Sequence, residues 1–206
     1  MTNIVFTIRP PNSFYLAFSG GIDSAVLLHR LRRYRYLDIT LLNIHHGDEW
    51  SDHELDFTKE ISAKYNIPYV VYSICQPPKG KSVEAYWSDE RNKIYQSLSK
   101  PVLTGHHLDD AVEWYIMSSL QGCSKVMSKT RGNVIRPMLT TDKNTIELYA
   151  EERSVEYIKD PSNQDITFNL RNKVRHNLIP HVEDVFPGIR TTVRKLIIKK
   201  HMECCE

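Results

Sequence analysis

Phe14-Tyr15-Leu16-Ala17-Phe18-Ser19-Gly20-Gly21-Ile22-Asp23-Ser24-Ala25-Val26-Leu27-Leu28 decides the fold class of this chain. The apolar run over 14–18 stops abruptly at Ser19-Gly20-Gly21, and residues 25–31 then place Leu27, Leu28 and Leu31 on one helical face. A buried strand, a glycine turn and a helix are the opening unit of a parallel α/β sheet. The pattern continues outward. Residues 39–44, 69–74, 101–104 and 134–135 read as strands, and 52–65, 83–98 and 110–120 as helices, with Asn66 and Pro68 stopping the first of these. Strands alternating with helices predict a doubly wound α/β domain with a parallel five-stranded sheet. Residues 121–133, rich in Gly, Ser and Lys, read as a loop. After Asp160-Pro161-Ser162-Asn163 the alternation ends, and 170–178 and 189–200 predict two amphipathic helices with basic faces, separated by Pro180 and Pro187-Gly188. The expected division is a domain over 1–160 and a small helical appendage over 161–206.

The glycine turn is also the first chemical candidate. It lies at the carboxyl end of a strand and the start of a helix, where open α/β sheets bind ligands. Gly20 and Gly21 let the backbone approach a phosphate, Ser19 and Ser24 add hydroxyl donors, and the helix start adds a positive dipole end. Asp23 is out of place against a bare phosphate, and its natural partner there is a magnesium ion. Taken alone, the string also suits a Gly-rich turn capped by Asp and Ser. The second candidate is His106-His107-Leu108-Asp109-Asp110-Ala111-Val112-Glu113. Asp110 and Glu113 share a helical face, with His106 just before it. Two carboxylates beside a phosphate site suit an ammonium group or a metal; a His/Asp N-cap with a solvated Glu is the alternative.

Bulk properties set the class. With 206 residues, 41% hydrophobic and 25% charged, the chain supports one well-buried domain plus an appendage. The net charge is +2, but residues 166–201 hold eight Lys and Arg against two acids, a surplus of six. Such a segment is either a phosphate-binding face or a solvated basic helix. Cys75, Cys123, Cys204 and Cys205 form no Cys-x-x-Cys pair and read as reduced thiols. No signal-peptide pattern and no apolar run of about 18 residues is present, so a cytoplasmic protein without a membrane span is expected. His45, His46, His106 and His107 lack the spaced partners that a zinc site needs.

Ser-Gly-Gly-Ile-Asp-Ser resembles the PP-loop of the N-type ATP pyrophosphatases. That resemblance implies an adenine nucleotide alpha hydrolase-like fold, ATP and Mg²⁺ as cofactors, and cleavage between the α and β phosphates. The string from His106 to Glu113 is similar to a motif shared by tRNA-lysidine synthetases and two-thiocytidine tRNA thiolases. Asp160-Pro161-Ser162-Asn163, then Arg171-Asn172-Lys173-Val174-Arg175-His176 and Pro180, resembles the lysidine synthetase signature; His46-Gly47 and Arg136-Pro137 fit it too. Thiolases of the cytidine type need paired cysteines, which this chain lacks. Three departures stand out: Ser88 replaces a family arginine, with the second at Arg91; Ala111 replaces a glutamine; and the chain resembles the catalytic domain alone.

The resemblance implies that the wobble cytidine of an isoleucine tRNA with a CAU anticodon is adenylated at its C2 oxygen, and that free lysine then displaces AMP. Implied catalytic residues are Asp23, Arg91, His106, Asp110, Glu113, Arg171 and Arg175. Implied nucleotide-binding residues are Ser19, Gly20, Gly21, Ile22, Asp23, Ser24 and His46, with Asp23 on the metal. Asp110 and Glu113 are expected on the lysine, one of them freeing its amine, and Arg91, Arg171 and Arg175 on the phosphate and RNA. An internal ion pair is the alternative for Arg171 and Arg175. A homodimer is left open. The rival classes are a tRNA thiolase and a non-catalytic nucleotide- or RNA-binding module.

Overall fold

The computed structural model describes residues 2–80, 82–160 and 170–203; Pro161, Ser162, Asn163, Cys204 and Cys205 lie outside the described residues. The elements run β1 (Ser13–Ala17), α1 (Ile22–Leu31), β2 (Asp38–His45), α2 (Glu49–Tyr65), β3 (Tyr69–Ser73), α3 (Val83–Ser97), β4 (Val102–Leu103), α4 (Leu108–Leu120), β5 (Thr130–Arg131), β6 (Val134–Ile135) and α5 (Lys143–Glu152). Then come α6 (Leu170–Lys173), a π-helical turn (Val174–Leu178), α7 (Ile179–Val185) and α8 (Ile189–Glu203).

The sheet has six strands in the order β3-β2-β1-β4-β6-β5, parallel except for β5. Side-chain alternation divides its two faces. Phe14, Leu16, Ile39, Leu41 and Leu103 join Val26, Leu27 and Leu31 of α1, Ile61 of α2 and Ile146 and Tyr149 of α5 in one core. Leu42, Ile44 and Val102 point the other way, towards Tyr86, Trp87 and Ile94 of α3. Period-two alternation within β2 thus buries both faces, as a central parallel strand requires.

Two differences from the sequence reading have plain causes. Residues 130 and 131, inside the stretch read as loop, form a strand: Gly132-Asn133 turns a two-residue hairpin onto the expected strand 134–135, with Gly132 at φ 53° and Arg131 opposite Val134. This adds the sixth, antiparallel strand. The Asn133 side chain pins the turn by donating to the carbonyls of Tyr95, Leu98 and Lys100. Nor does Pro180 separate two helices; it sits in the first turn of α7. The preceding π turn, in which Ile179 N–H reaches the Val174 carbonyl, accommodates the ring and its missing donor. The C-terminal helices close over α4: Val174, Ile179, Val193 and Ile197 pack with Leu108, Ala111, Val112 and Ile116. No helix among the described residues is long and apolar enough to cross a membrane.

Candidate active site

Strand order reverses between β1 and β4: the chain leaves β1 towards β2 and β3, then crosses to β4 on the other side. Ligands of open α/β sheets bind in the crevice at such a point. Both sequence motifs open into it. Gly20 has φ 75°, a conformation that L side chains rarely adopt, and its carbonyl accepts from Ile158 N–H at 3.0 Å. Gly105 lies directly on the loop: a Cβ there would meet Asp23 C and Ser24 N at 3.1 Å. A glycine is what lets the two motifs touch backbone to backbone.

Helix α1 is built differently at its start from its neighbours. Asp48, Ser82 and Asp142 cap α2, α3 and α5 by accepting from backbone N–H groups, whereas Gly21 at the start of α1 offers no side-chain cap. Ser24 Oγ turns back to the Gly21 carbonyl at 2.9 Å, and Ser19 Oγ accepts from Gly21 N–H at 3.4 Å. The first-turn donors of α1 therefore carry no side-chain cap and face the crevice, the arrangement that receives an anion. Ile22 packs against the core and anchors the turn.

Around this turn the charges form a lattice. Asp23 is paired with Lys143 Nζ at 2.6 Å, each about a third exposed. The backbone N–H of Lys143 donates to Asp109, whose other oxygen holds Arg190 of α8. Buried His107 lies 3.6 Å from Asp23, Asp109 and Asp110, too far for hydrogen bonds but close enough to feel all three. Burial would lower its pKa; Asp110, Asp109 and Asp23 outweigh that and raise it. Asp110 accepts His107 N–H at 2.9 Å, completing the start of α4. Burial would raise the Asp110 pKa, but His107 and Arg171 hold it well below the carboxylate range.

Arg171 and Arg175 close on the same acids. Arg171 gives Nε to Glu113 at 2.6 Å and Nη2 to Asp110 at 2.5 Å; Arg175 gives Nε to the other Glu113 oxygen at 2.5 Å and Nη2 to Asp110 at 3.5 Å. Glu113 is 1% exposed. The sequence reading sent the acids to lysine and the arginines to phosphate; here the four groups satisfy one another. His106 binds Thr104 Oγ1 through Nδ1 at 2.8 Å, and burial pushes its pKa down to about 3, so it is neutral at physiological pH. Beside it, buried Arg136 donates to the Ser128 carbonyl at 3.0 Å, has no partner for Nε, and is pushed down to about 10 by burial and Arg131.

His46 and Arg91 form a neighbouring group at the end of β2. The His46 ring lies 4.4 Å from Trp87, and burial, then Arg91, push its pKa down to about 4. Glu54 lies with them, raised to about 7 chiefly by burial. His45 spends both ring nitrogens, one on Asp52 and one on Gly47 N–H. Phe18 is core, stacked on Phe57 at 6.1 Å. Among the described residues no three His, Cys, Asp or Glu could hold a metal ion. Asp23 alone suits magnesium, which takes one or two carboxylates and completes its shell with phosphate oxygens and water. Sequence reasoning gave no site role to Lys143, His107 or Arg190. His107 stood inside the quoted α4 motif and Lys143 at the start of a helix capped by Asp142, but nothing local showed their partners.

A tRNA(Ile)-lysidine synthase from Francisella tularensis subsp. tularensis is 34% identical over 205 residues, covering 90% of this chain and 50% of that protein. One from Persephonella marina is 33% identical over 200 residues, covering 88% and 44%. The chain thus spans about half the length of the curated relatives it matches. Among solved structures, an NH3-dependent NAD synthetase from Campylobacter jejuni shares the fold, with a TM-score of 0.50 at 13% identity over 93% of this chain and 86% of that one. The PP-loop domain family matches residues 2–182, so the chain belongs to the PP-loop ATP-binding family.

Proposed function

We propose that this protein ligates free lysine to C2 of the wobble cytidine of isoleucine tRNA with a CAU anticodon, consuming ATP and releasing AMP and pyrophosphate. The observation that carries the reading is the packing of Gly105 on the Asp23–Ser24 backbone. It sets an uncapped helix start beside the carboxylates of α4. The similarity to lysidine synthases supports the choice of substrates.

The uncapped N–H groups of α1, with Ser19 and Ser24, hold the phosphates, and Asp23 would hold the magnesium, which would neutralise phosphate charge. Lys143, whose ammonium lies 2.6 Å from Asp23, can extend to the same phosphates. His106, neutral at working pH, serves as a hydrogen-bond partner for the base or the α-phosphate. Arg136 brings an uncompensated guanidinium to the same end of β6, where charge develops as the C2 oxygen attacks the α-phosphate.

Lysine enters by exchange. Its ammonium takes Asp110, displacing the Arg175 contact at 3.5 Å, the longest of the four. Arg175 keeps Nε on Glu113 at 2.5 Å, and its released Nη2 can reach the phosphate or the RNA backbone. A carboxylate held far below its ordinary pKa is a poor base, so Asp110 anchors the amino acid and does not deprotonate its amine. The ε-amine attacks as the neutral amine, its proton having passed to water: the C2–N bond forms, the bond from C2 to the adenylated oxygen breaks, and AMP leaves with that oxygen.

The test is transfer of radiolabelled lysine to isoleucine tRNA bearing CAU, with methionine tRNA as control, in the presence of ATP and Mg²⁺. Label in the isoleucine tRNA establishes the reaction. ATP binding without label in either tRNA would overturn it and return the thiolase and the non-catalytic binder.

A further inference from the structure

The basic C-terminal segment spends much of its charge internally. Arg171, Arg175, Arg190 and Arg194 all reach carboxylates of the protein. At the other end of the sheet the opposite holds. Helices α1 and α5 run side by side in the same direction: Lys143 meets Asp23 at their N-termini, and Tyr149 meets His29 at 3.0 Å near their C-termini. Around those C-termini lie Arg30, Arg32, Arg33, Arg35 and Arg153. Among the described residues no carboxylate comes within 4.0 Å of any of them.

These arginines are fixed by aromatic rings in place of acids. Arg32 stands 3.3 Å over Tyr65, Arg30 at 4.9 Å over Tyr34 and 5.3 Å over Phe6, and Arg153 at 4.8 Å over Tyr149. Tyr36 packs on Tyr34 at 5.9 Å and remains 58% exposed. Arg33 and Arg35 are exposed between them. Cations at helix C-termini are ordinary, because each helix end carries about half a negative charge. Two such ends and Glu152, which lies near Arg153, leave a surplus of about three positive charges. His29, on a cavity of about 130 Å³ that Arg32 and Arg153 also line, registers the surplus: burial and then Arg32, Arg153 and Arg33 lower its pKa.

We propose that this end of the molecule, with Arg30, Arg32, Arg33, Arg35 and Arg153 around Tyr36, is a second RNA-contacting surface, which holds the sugar–phosphate backbone of the tRNA away from the reacting base. It lies about 15 Å from the nucleotide turn, the length of the ten residues of α1. Arg30 and Arg153 each give one donor to a backbone carbonyl, of Ile4 and Thr2, and the other donors of these stacked guanidiniums can meet phosphate oxygens, while an exposed phenol ring offers a face to a base. The choice of RNA as partner rests on the proposed tRNA substrate.

The test is equilibrium binding of isoleucine tRNA to the full chain as a function of salt. An Arg33→Gln/Arg35→Gln double variant, altered at exposed positions outside the catalytic site, lowers the slope of log K against log salt by about 1.5 and weakens binding roughly tenfold. The Arg33→Lys/Arg35→Lys variant keeps the slope, and Tyr36→Ala weakens binding without changing it. ATP binding is the same in all four proteins. An unchanged slope and affinity in the glutamine variant overturns the proposal. So does its loss of binding to phosphatidylserine vesicles with tRNA binding intact, which would make the patch a membrane contact. Failure of lysine transfer in the unmodified protein, with the salt effect present, would sink the reaction and leave the surface standing.

Discussion

Gly105→Ala tests the spacing on which the site depends. The added methyl would sit 3.1 Å from Asp23 C, 3.1 Å from Ser24 N and 3.2 Å from Asp23 O, where ordinary contact begins near 3.4 Å. All three neighbours are backbone, so no side chain can swing aside. The nucleotide turn and the start of α4 must separate by about 0.3 Å, at a cost of about 1–2 kcal/mol, typical of overpacking. For a chain of this size that lowers the Tm by roughly 3–6 °C. A 1 Å misplacement of reacting groups costs about a hundredfold in rate, so this smaller shift costs roughly fourfold in the kcat of the proposed lysine transfer. Gly188→Ala is the control, since nothing lies within 4 Å of its Cβ. Turnover and thermal unfolding are measured on both variants. If Gly105→Ala lowers the Tm as stated yet turns over at the wild-type rate, contact between the motifs does not set catalytic geometry.

Three further outcomes follow from the charge lattice. If Asp23 holds magnesium as proposed, Lys143→Met removes a competing cation, so the half-saturating Mg²⁺ concentration falls while kcat drops roughly tenfold; an unchanged magnesium dependence would count against Lys143 as the resident cation. Glu113→Gln strips a buried charge from two arginines, and since these are a third exposed the loss, read from urea unfolding, is about 1–3 kcal/mol, below that for a fully buried pair. Acid sensitivity has a worked sign. His46 and His106, held at about 4 and about 3, stay neutral when folded and protonate when unfolded below about pH 6.5, so both lose stability as pH falls. Glu54, raised to about 7, works the other way between about pH 7 and 4.5. From these three groups the remainder is about one proton, or about 1.4 kcal/mol per pH unit between pH 6.5 and 4.5, to which His29, also lowered, adds; His106→Gln should flatten that slope, and an unaltered slope would refute the assignment.

What the sequence revealed and what it hid divide along one line. Strand β1, the glycine turn and the α4 motif are each contiguous, and hydrophobic period and turn chemistry act over a few residues, so all were legible. Their meeting was only half legible: alternation predicts a parallel sheet, but contact between Gly105 and Asp23 depends on the crossover to β4. The pairing of Arg171 and Arg175 with Asp110 and Glu113 spans about sixty residues, and that of Lys143 with Asp23 spans 120. No periodicity encodes such a partner. The β5–β6 hairpin escaped for another reason: Gly132-Asn133 is a turn signal, but two-residue strands carry too few side chains to show alternation.

The same lattice bears on the order of events. Asp23, Asp109, Asp110 and Glu113 each have a cation: Lys143, Arg190 and the Arg171–Arg175 pair, with His107 wedged among three of the acids. Any ligand reaching a carboxylate must first replace a partner already in place, so binding costs less than stripping a bare charge of its water and rejects a cation that offers no better geometry. On the proposed reading, magnesium with ATP replaces Lys143 and lysine replaces Arg175. Each displacement releases a positive group at the point where phosphate charge accumulates. Lysine arriving before ATP would leave Arg175 Nη2 with no anion to receive it, its guanidinium held by Glu113 alone. ATP should therefore tighten lysine binding and, by linkage, lysine should tighten ATP binding by the same factor. Equal lysine affinity with and without a non-hydrolysable ATP analogue would show that the carboxylates and arginines are fixed partners, and that lysine is held elsewhere.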